Sequence, residues 1–307
     1  FGGSDFTTPA NPDGGADLYQ QARDKGYCIT RSYKEYQKRS KKADKMILLQ
    51  SEEASKVDRG GIPYALDRQE GDLTLPDITR AAINFLTKKQ GGKDGFFLMV
   101  EGGKIDWLCH ANDVAFIPEL IEMDDAVKVA FEFYQQHPDE TLIVVTADHE
   151  TGGLVLGRGG YQLNLQAVAN QRMSISRLGT ELHKLHDKYG DKYDWEVAKA
   201  FLTDNFGFWD KVQLSDDQTA RLQRSFQRVL EGKGVDAKSL YQKDSEFAGT
   251  VKRVMSECAR ITWGTGGHSN GYVPCFSIGV GAEQLQGRLD NTELPLRMAK
   301  AAGWQVR

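Results

Sequence analysis

The sequence predicts an α/β fold: a mostly parallel central sheet flanked by helices, with a helical insertion or cap. Three observations predict it. Short apolar runs alternate with helical patterns through the first half, as a parallel sheet requires. Two runs are unbroken, Phe-Phe-Leu-Met-Val at 96–100 and Thr-Leu-Ile-Val-Val-Thr at 141–146, as strands buried on both faces should be. The stretch 163–258 is charged, mostly helical in pattern, and too long to be a loop.

In chain order, 16–25 reads as a helix stopped by Gly26, and 27–30 as a short strand. A charged surface helix covers 33–42, and a second strand covers 45–49. Pro76, with Asp77 beside it, opens a helix that runs to about residue 90, where Gly91 and Gly92 end it. The 96–100 strand follows, then a helix to about residue 136, then the 141–146 strand. Helical segments at 215–231 and 248–257 lie in the insertion. Sheet-like sequence returns at 275–280, and a last helix spans 291–302. The division expected is a core formed by 1–162 and 259–307 around an insertion at 163–258.

A chain of 307 residues, 40% hydrophobic and 27% charged, can bury a core as one large domain or two ordinary ones. The net charge of −4 and pI of about 5.9 argue against a broad nucleic-acid face. No apolar run approaches the roughly 18 residues of a membrane span. Cys28, Cys109, Cys258 and Cys275 form no Cys-x-x-Cys pair and suit neither a disulfide scaffold nor a cysteine zinc site. They read as buried thiols, with one or two bridges open to an exported protein. The chain begins at Phe1 without a charged-then-apolar leader, and it reads as a mature product or a fragment.

Three clusters carry metal-type ligands. At 100–110, Glu101 ends the first unbroken strand and two glycines turn the chain. Asp106 and His110 then stand four apart, on one face of any helix starting after Gly103. At 146–153, Asp148 and His149 follow the second strand directly. Carboxylate oxygen and imidazole nitrogen are both good zinc ligands. At 264–271, His268 sits in a glycine-rich turn before a strand. In open α/β sheets, sites form at the carboxyl ends of strands, and the first two clusters are placed there. His183 and His186 lie on a charged helix and read as a solvated face. So does the interrupted basic run at 34–45.

These residues resemble the alkaline phosphatase family. The resemblance lies in Val-Glu-Gly-Gly-Lys-Ile-Asp-Trp-Leu-Cys-His (100–110), Thr-Ala-Asp-His-Glu-Thr-Gly-Gly (146–153), Gly-Gly-His-Ser-Asn-Gly-Tyr-Val-Pro (266–274) and Gly-Arg-Leu-Asp-Asn-Thr-Glu (287–293). The opening Phe-Gly-Gly-Ser-Asp-Phe is similar to a glycine-rich segment in the middle of family members. The resemblance implies hydrolysis of phosphate monoesters with two zinc ions and one magnesium. By resemblance, Asp106, His110 and His268 hold the first zinc, and Asp148 and His149 two positions of the second. Glu101 is a magnesium ligand by the same resemblance. Trp107 falls at a variable position near the third metal. A periplasmic or extracellular location, and possible homodimers, are implied in the same way.

The family's serine nucleophile, in an Asp-Ser-Ala-like segment, is not found in this sequence; its one Asp-Ser is Asp244-Ser245. The expectation is a chain resembling the C-terminal two-thirds of an alkaline phosphatase, with the nucleophile and the sheet's central strands upstream. Two competing expectations stand beside it: a superfamily relative such as a phosphodiesterase, sulfatase or mutase, and a non-catalytic metal- or phosphate-binding fragment.

Overall fold

A computed structural model describes residues 2, 17–58, 60–89, 95–238 and 243–305. The glycine stop at 91–92 and most of the opening hexapeptide lie outside the described residues. Helix α1 (Leu18–Asp24) precedes β1 (Tyr27–Thr30), which pairs in parallel with β2 (Lys45–Leu48). The crossover is α2 (Tyr33–Arg39), capped by the Ser32 hydroxyl, which accepts the Glu35 N–H. Tyr36, Met46 and Leu48 bury against Ile78, Ala81 and Phe85 of α4 (Leu75–Lys89), forming one apolar cluster. The short α3 (Glu52–Val57), capped by Ser51, is too brief to leave a periodic signal.

Two expectations for the middle of the chain are corrected. The 96–100 run is extended but joins no ladder among the described residues, and Phe97 and Met99 are 57% and 78% exposed. An apolar run is buried on both faces only where neighbouring strands and covering helices exist. Here Phe96 packs on Phe133, and Phe97 meets Trp304 edge-on. The single helix expected to reach residue 136 is two, α5 (Gly103–His110) and α6 (Phe116–Gln136). Asn112 breaks it with φ +54°, a left-handed conformation that asparagine tolerates. The Asp113 N–H closes back on Leu108 O, and its carboxylate accepts the Ala115 N–H where α6 begins.

Beyond α6 come β3 (Leu142–Val145) and β4 (Val155–Leu156). The stretch expected as an insertion forms α7 (Leu165–Val168), α8 (Ile175–Tyr189), α9 (Trp195–Phe206), α10 (Asp216–Leu230) and α11 (Glu246–Ala259). Ser174, Asp194, Ser215 and Ser245 cap the last four of these, and Ser215 forms a reciprocal box with Gln218. A small ladder, β5 (Ala237–Lys238) with β6 (Lys243–Asp244), lies between α10 and α11. These helices share one buried apolar cluster with α5 and the start of α6, through Leu108, Cys109 and Phe116 against Leu178, Phe247 and Val251. Asp67 and Asp113 bind the backbone at Ser174 and Ile175, fixing α8 to the rest.

The chain returns through β7 (Ile261–Thr262) and β8 (Phe276–Gly279) and ends in α12 (Glu293–Ala301). β8 lies antiparallel to β3, and β7 antiparallel to β4. Among the described residues, only β1–β2 is a parallel ladder, and all four ladders are two-stranded. The expected mostly parallel central sheet is therefore not formed among them. Among the described residues β3 has one ladder partner, β8, and the two run antiparallel. The β3–β8 and β4–β7 pairs have a positional consequence. Loop 146–154 and loop 263–275 are each held at both ends, side by side.

Candidate metal centre

Asp106 stands in the first turn of α5 and His110 in its last, and one helical turn brings them to 3.3 Å, Oδ1 to Nε2. Loop 263–275 brings His268 to the same point. Its Nε2 lies 3.0 Å from His110 Nε2 and 3.7 Å from Asp106 Oδ1. Asp106 Oδ1 is buried and has no hydrogen-bond partner. Donors at 2.0–2.1 Å on a tetrahedral ion sit roughly 3.3 Å apart. The triangle thus has the dimensions of one face of such a tetrahedron, and its carboxylate oxygen has a lone pair to give.

The tautomer of His110 is fixed from behind. Its Nδ1 lies 2.6 Å from Gly266 O, and a carbonyl can only accept. Nδ1 therefore carries the proton, and the Nε2 lone pair faces the triangle, the arrangement that orients metal-binding histidines generally. His149 repeats the device, with Nδ1 2.9 Å from Glu150 O. Its ring stacks on His268, with centroids 3.5 Å apart and planes at 23°. The ligand atoms of Asp106, His149 and His268 lie within 4.8 Å of one another.

Asp148 is 3.3 Å from His149 Nε2 with its side chain 86% exposed, so it reaches the cluster only through His149. Glu101 turns its carboxylate over Gly103, and no described hydrogen bond or ion pair links it to the histidines. The structure thus brings Asp106, His110, His268 and His149 together, leaves Asp148 at the margin and holds Glu101 apart.

Lys104, on α5, is buried in an ion pair with Asp58, its ammonium 4.1 Å from the Tyr64 ring centroid and 4.4 Å from that of Trp107. Burial draws its pKa down, and Asp58 opposes the shift. The Trp107 ring also lies against Gly60, where a Cβ would come within 2.8 Å of it. These contacts fix the first turn of α5, and so Asp106.

One polar residue of the site escaped the sequence reading. Glu150 accepts the N–H groups of Gly152 (3.0 Å) and Gly153 (2.6 Å) in its own loop and the N–H of Ser269 in the other. Partial burial would raise its carboxyl pKa, but the N–H groups of Gly153 and Gly152 and the contact with Ser269 outweigh it and hold it below the usual carboxylate range. The loops also touch backbone to backbone: the Gly264 N–H lies 2.9 Å from Gly152 O, and a Cβ on Gly152 would come within 2.6 Å of Thr265 O. The available signal was the glycine pair after Glu150: N–H groups in a tight glycine turn need an acceptor.

Fold and donor set together define an α/β protein with a candidate metal centre where loops leave its strands. Comparison names the family: the Alkaline phosphatase family model matches residues 4–304, and the chain belongs to that family. It is 31% identical over 250 residues to alkaline phosphatase 3 of Bacillus subtilis, covering 81% of this chain and 48% of that protein. It is 33% identical over 254 residues to the repressible alkaline phosphatase of Saccharomyces cerevisiae, covering 76% and 42%. The crystal structure of Thermus thermophilus alkaline phosphatase matches all of this chain and 62% of its own, with a TM-score of 0.71 and 26% identity. The chain spans about half the length of these curated relatives. Among the described residues, no helix is long and apolar enough to cross a membrane.

Proposed function

We propose that this chain carries the metal-binding part of a metal-dependent phosphate monoester hydrolase, an alkaline phosphatase whose serine nucleophile lies upstream of residue 1. The observation that carries the reading is the Asp106–His110–His268 triangle, with its unpartnered buried oxygen. These three would hold one zinc ion, leaving a fourth position open, as a catalytic zinc requires. His149 and Asp148 would hold a second. The stacked rings favour that division. Imidazole binds through a lone pair in its own plane, and an ion midway between two rings 3.5 Å apart lies in neither plane. Glu101 would contribute to a magnesium site; a related alkaline phosphatase from the Antarctic bacterium TAB5 has a mutant with Mg bound in its M3 site.

Two bound zinc ions would supply Lewis-acid polarisation of the attacking and leaving oxygens in an in-line phosphoryl displacement. This chain's residues do the positioning. Gly266 O and Glu150 O hold the protons of His110 and His149 on Nδ1, keeping Nε2 basic. Asp106 adds the negative charge that anchors a divalent cation.

The exposed apolar residues Phe97, Met99, Phe276 and Ile278 support an upstream partner segment, since a phosphatase sheet would cover them with further strands. On this reading, β1, β2, β3, β8 and the 96–100 run are parts of one mostly parallel sheet, with 163–258 a cap beside it. We place the protein in the periplasm or outside the cell, as the resemblance implies.

A second reading, a non-catalytic metal-binding fragment, is favoured by one observation. The sole Asp-Ser is structural: Asp244 pairs with Lys252 at 2.8 Å, and the Ser245 hydroxyl caps α11 through the Ala248 N–H. p-Nitrophenyl phosphate hydrolysis by the natural polypeptide containing this chain separates the two. The phosphatase reading predicts turnover that chelation abolishes and Asp148→Ala lowers at least tenfold. Turnover that survives both, or none with zinc and magnesium supplied, contradicts it.

A further inference from the structure

We propose that Glu150 is a positioning residue that clamps the loop carrying His149 to the loop carrying His268, so that the histidine stack is formed before any metal arrives. This rests on the metal-centre reading above.

The two loops come from distant parts of the sequence and meet beside the histidine stack. The ladders fix the ends of each loop, and backbone bonds from the Gly264 and Thr265 N–H groups to Gly152 O join their middles on one side. Glu150 joins them through its side chain. One carboxylate oxygen, Oε1, accepts both the Gly152 N–H and the Ser269 N–H, while Oε2 accepts the Gly153 N–H. All three partners are donors, so the site calls for a group that only accepts, as an ionised carboxylate does. The clamp is close on the other side too: a Cβ on Gly271 would come within 3.0 Å of Glu150 Cγ.

His149 immediately precedes Glu150, and His268 immediately precedes Ser269. A bond from Glu150 to Ser269 therefore sets the separation of the two ligand-bearing residues directly. Asp106 and His110 stand on α5 and are not held by it. Loss of the clamp should loosen one half of the donor set and leave the other. Outer contacts that orient metal ligands typically change affinity by about 10–100-fold.

The test uses the full chain with Glu150→Ala and Glu150→Gln. Glutamine offers one acceptor oxygen, enough for the Gly152 and Ser269 bonds but not for Gly153. The first readout is imidazole NMR of the metal-free protein, where stacking moves the His149 and His268 ring protons upfield. The second is zinc affinity by chelator competition. Glu150→Ala is expected to lose the upfield shifts and bind zinc at least tenfold more weakly, with Glu150→Gln between it and wild type. Thermal melts check that each variant is folded; if Glu150→Ala is not, Glu150→Gln decides alone. A folded variant that keeps both the shifts and wild-type zinc affinity overturns the clamp. Wild type that binds no zinc overturns the metal reading instead, while the shifts in the metal-free protein still judge the clamp.

Discussion

At the scale of single residues, the buried charges next to the centre matter most. Glu119 of α6 is buried and accepts the Ala65 N–H at 2.6 Å. Burial pushes its carboxyl up to about 7, against the pull of the Ala65 N–H and Arg68. The folded protein therefore keeps a proton that the unfolded chain releases near pH 4.5. Native binds more protons than unfolded across pH 4.5 to 7, so stability falls as pH rises through that window. Glu119→Gln removes the titration. Chemical denaturation at pH 4.5 and pH 8 should show the variant gaining up to about 3 kcal/mol on wild type, at 1.36 kcal/mol per pKa unit. Parallel pH profiles would contradict the assignment.

At the scale of elements, the site depends on how α5 ends and α8 begins. Asp113 follows His110 by three residues and accepts three bonds: Ala115 N–H at 3.0 Å, Gln171 Nε2–H at 2.9 Å and Ile175 N–H at 2.8 Å. Asp113 thus closes α5 through its backbone N–H, while its buried carboxylate starts α6 and seats α8. Asp113→Ala leaves three buried donors unmatched, at about 1–3 kcal/mol each before relaxation. Urea denaturation should show a loss of at least about 3 kcal/mol; a loss below about 1 kcal/mol would show that α8 is seated by apolar packing alone. The same residues mark what could be read in advance. β1, β2, β3 and α10 were readable because short apolar runs and a charged, glycine-poor helical pattern are local signals. The break at Asn112 was not, because asparagine is ordinary inside a helix until its left-handed φ is imposed by Asp113 and its partners.

At the scale of the whole molecule, the site was more readable than the sheet. Asp106, His110 and His268 stood out as ligand types at strand and loop ends, and they meet within 3.7 Å. Their meeting could not be deduced from spacing, since the residue between α5 and His268 that fixes it, Gly266, acts through a backbone carbonyl. The sheet was less readable. The 96–100 run looks buried in sequence and 275–280 looks sheet-like, yet Met99 and Phe276 are exposed, and the ladders beside them are antiparallel or absent among the described residues. Hydrophobicity records what a strand will pack against, not which strands this chain supplies.

The central claim is that Asp106, His110 and His268 form a ready zinc face. The most direct measurement is cobalt(II) titration of the full chain, followed by its visible absorption and by competition with zinc. The expected result is a tight ion with the intense bands of a tetrahedral site, displaced by zinc, and lost in both Asp106→Ala and His268→Ala. Tetrahedral binding that survives Asp106→Ala, or no tight ion in wild type, would contradict it.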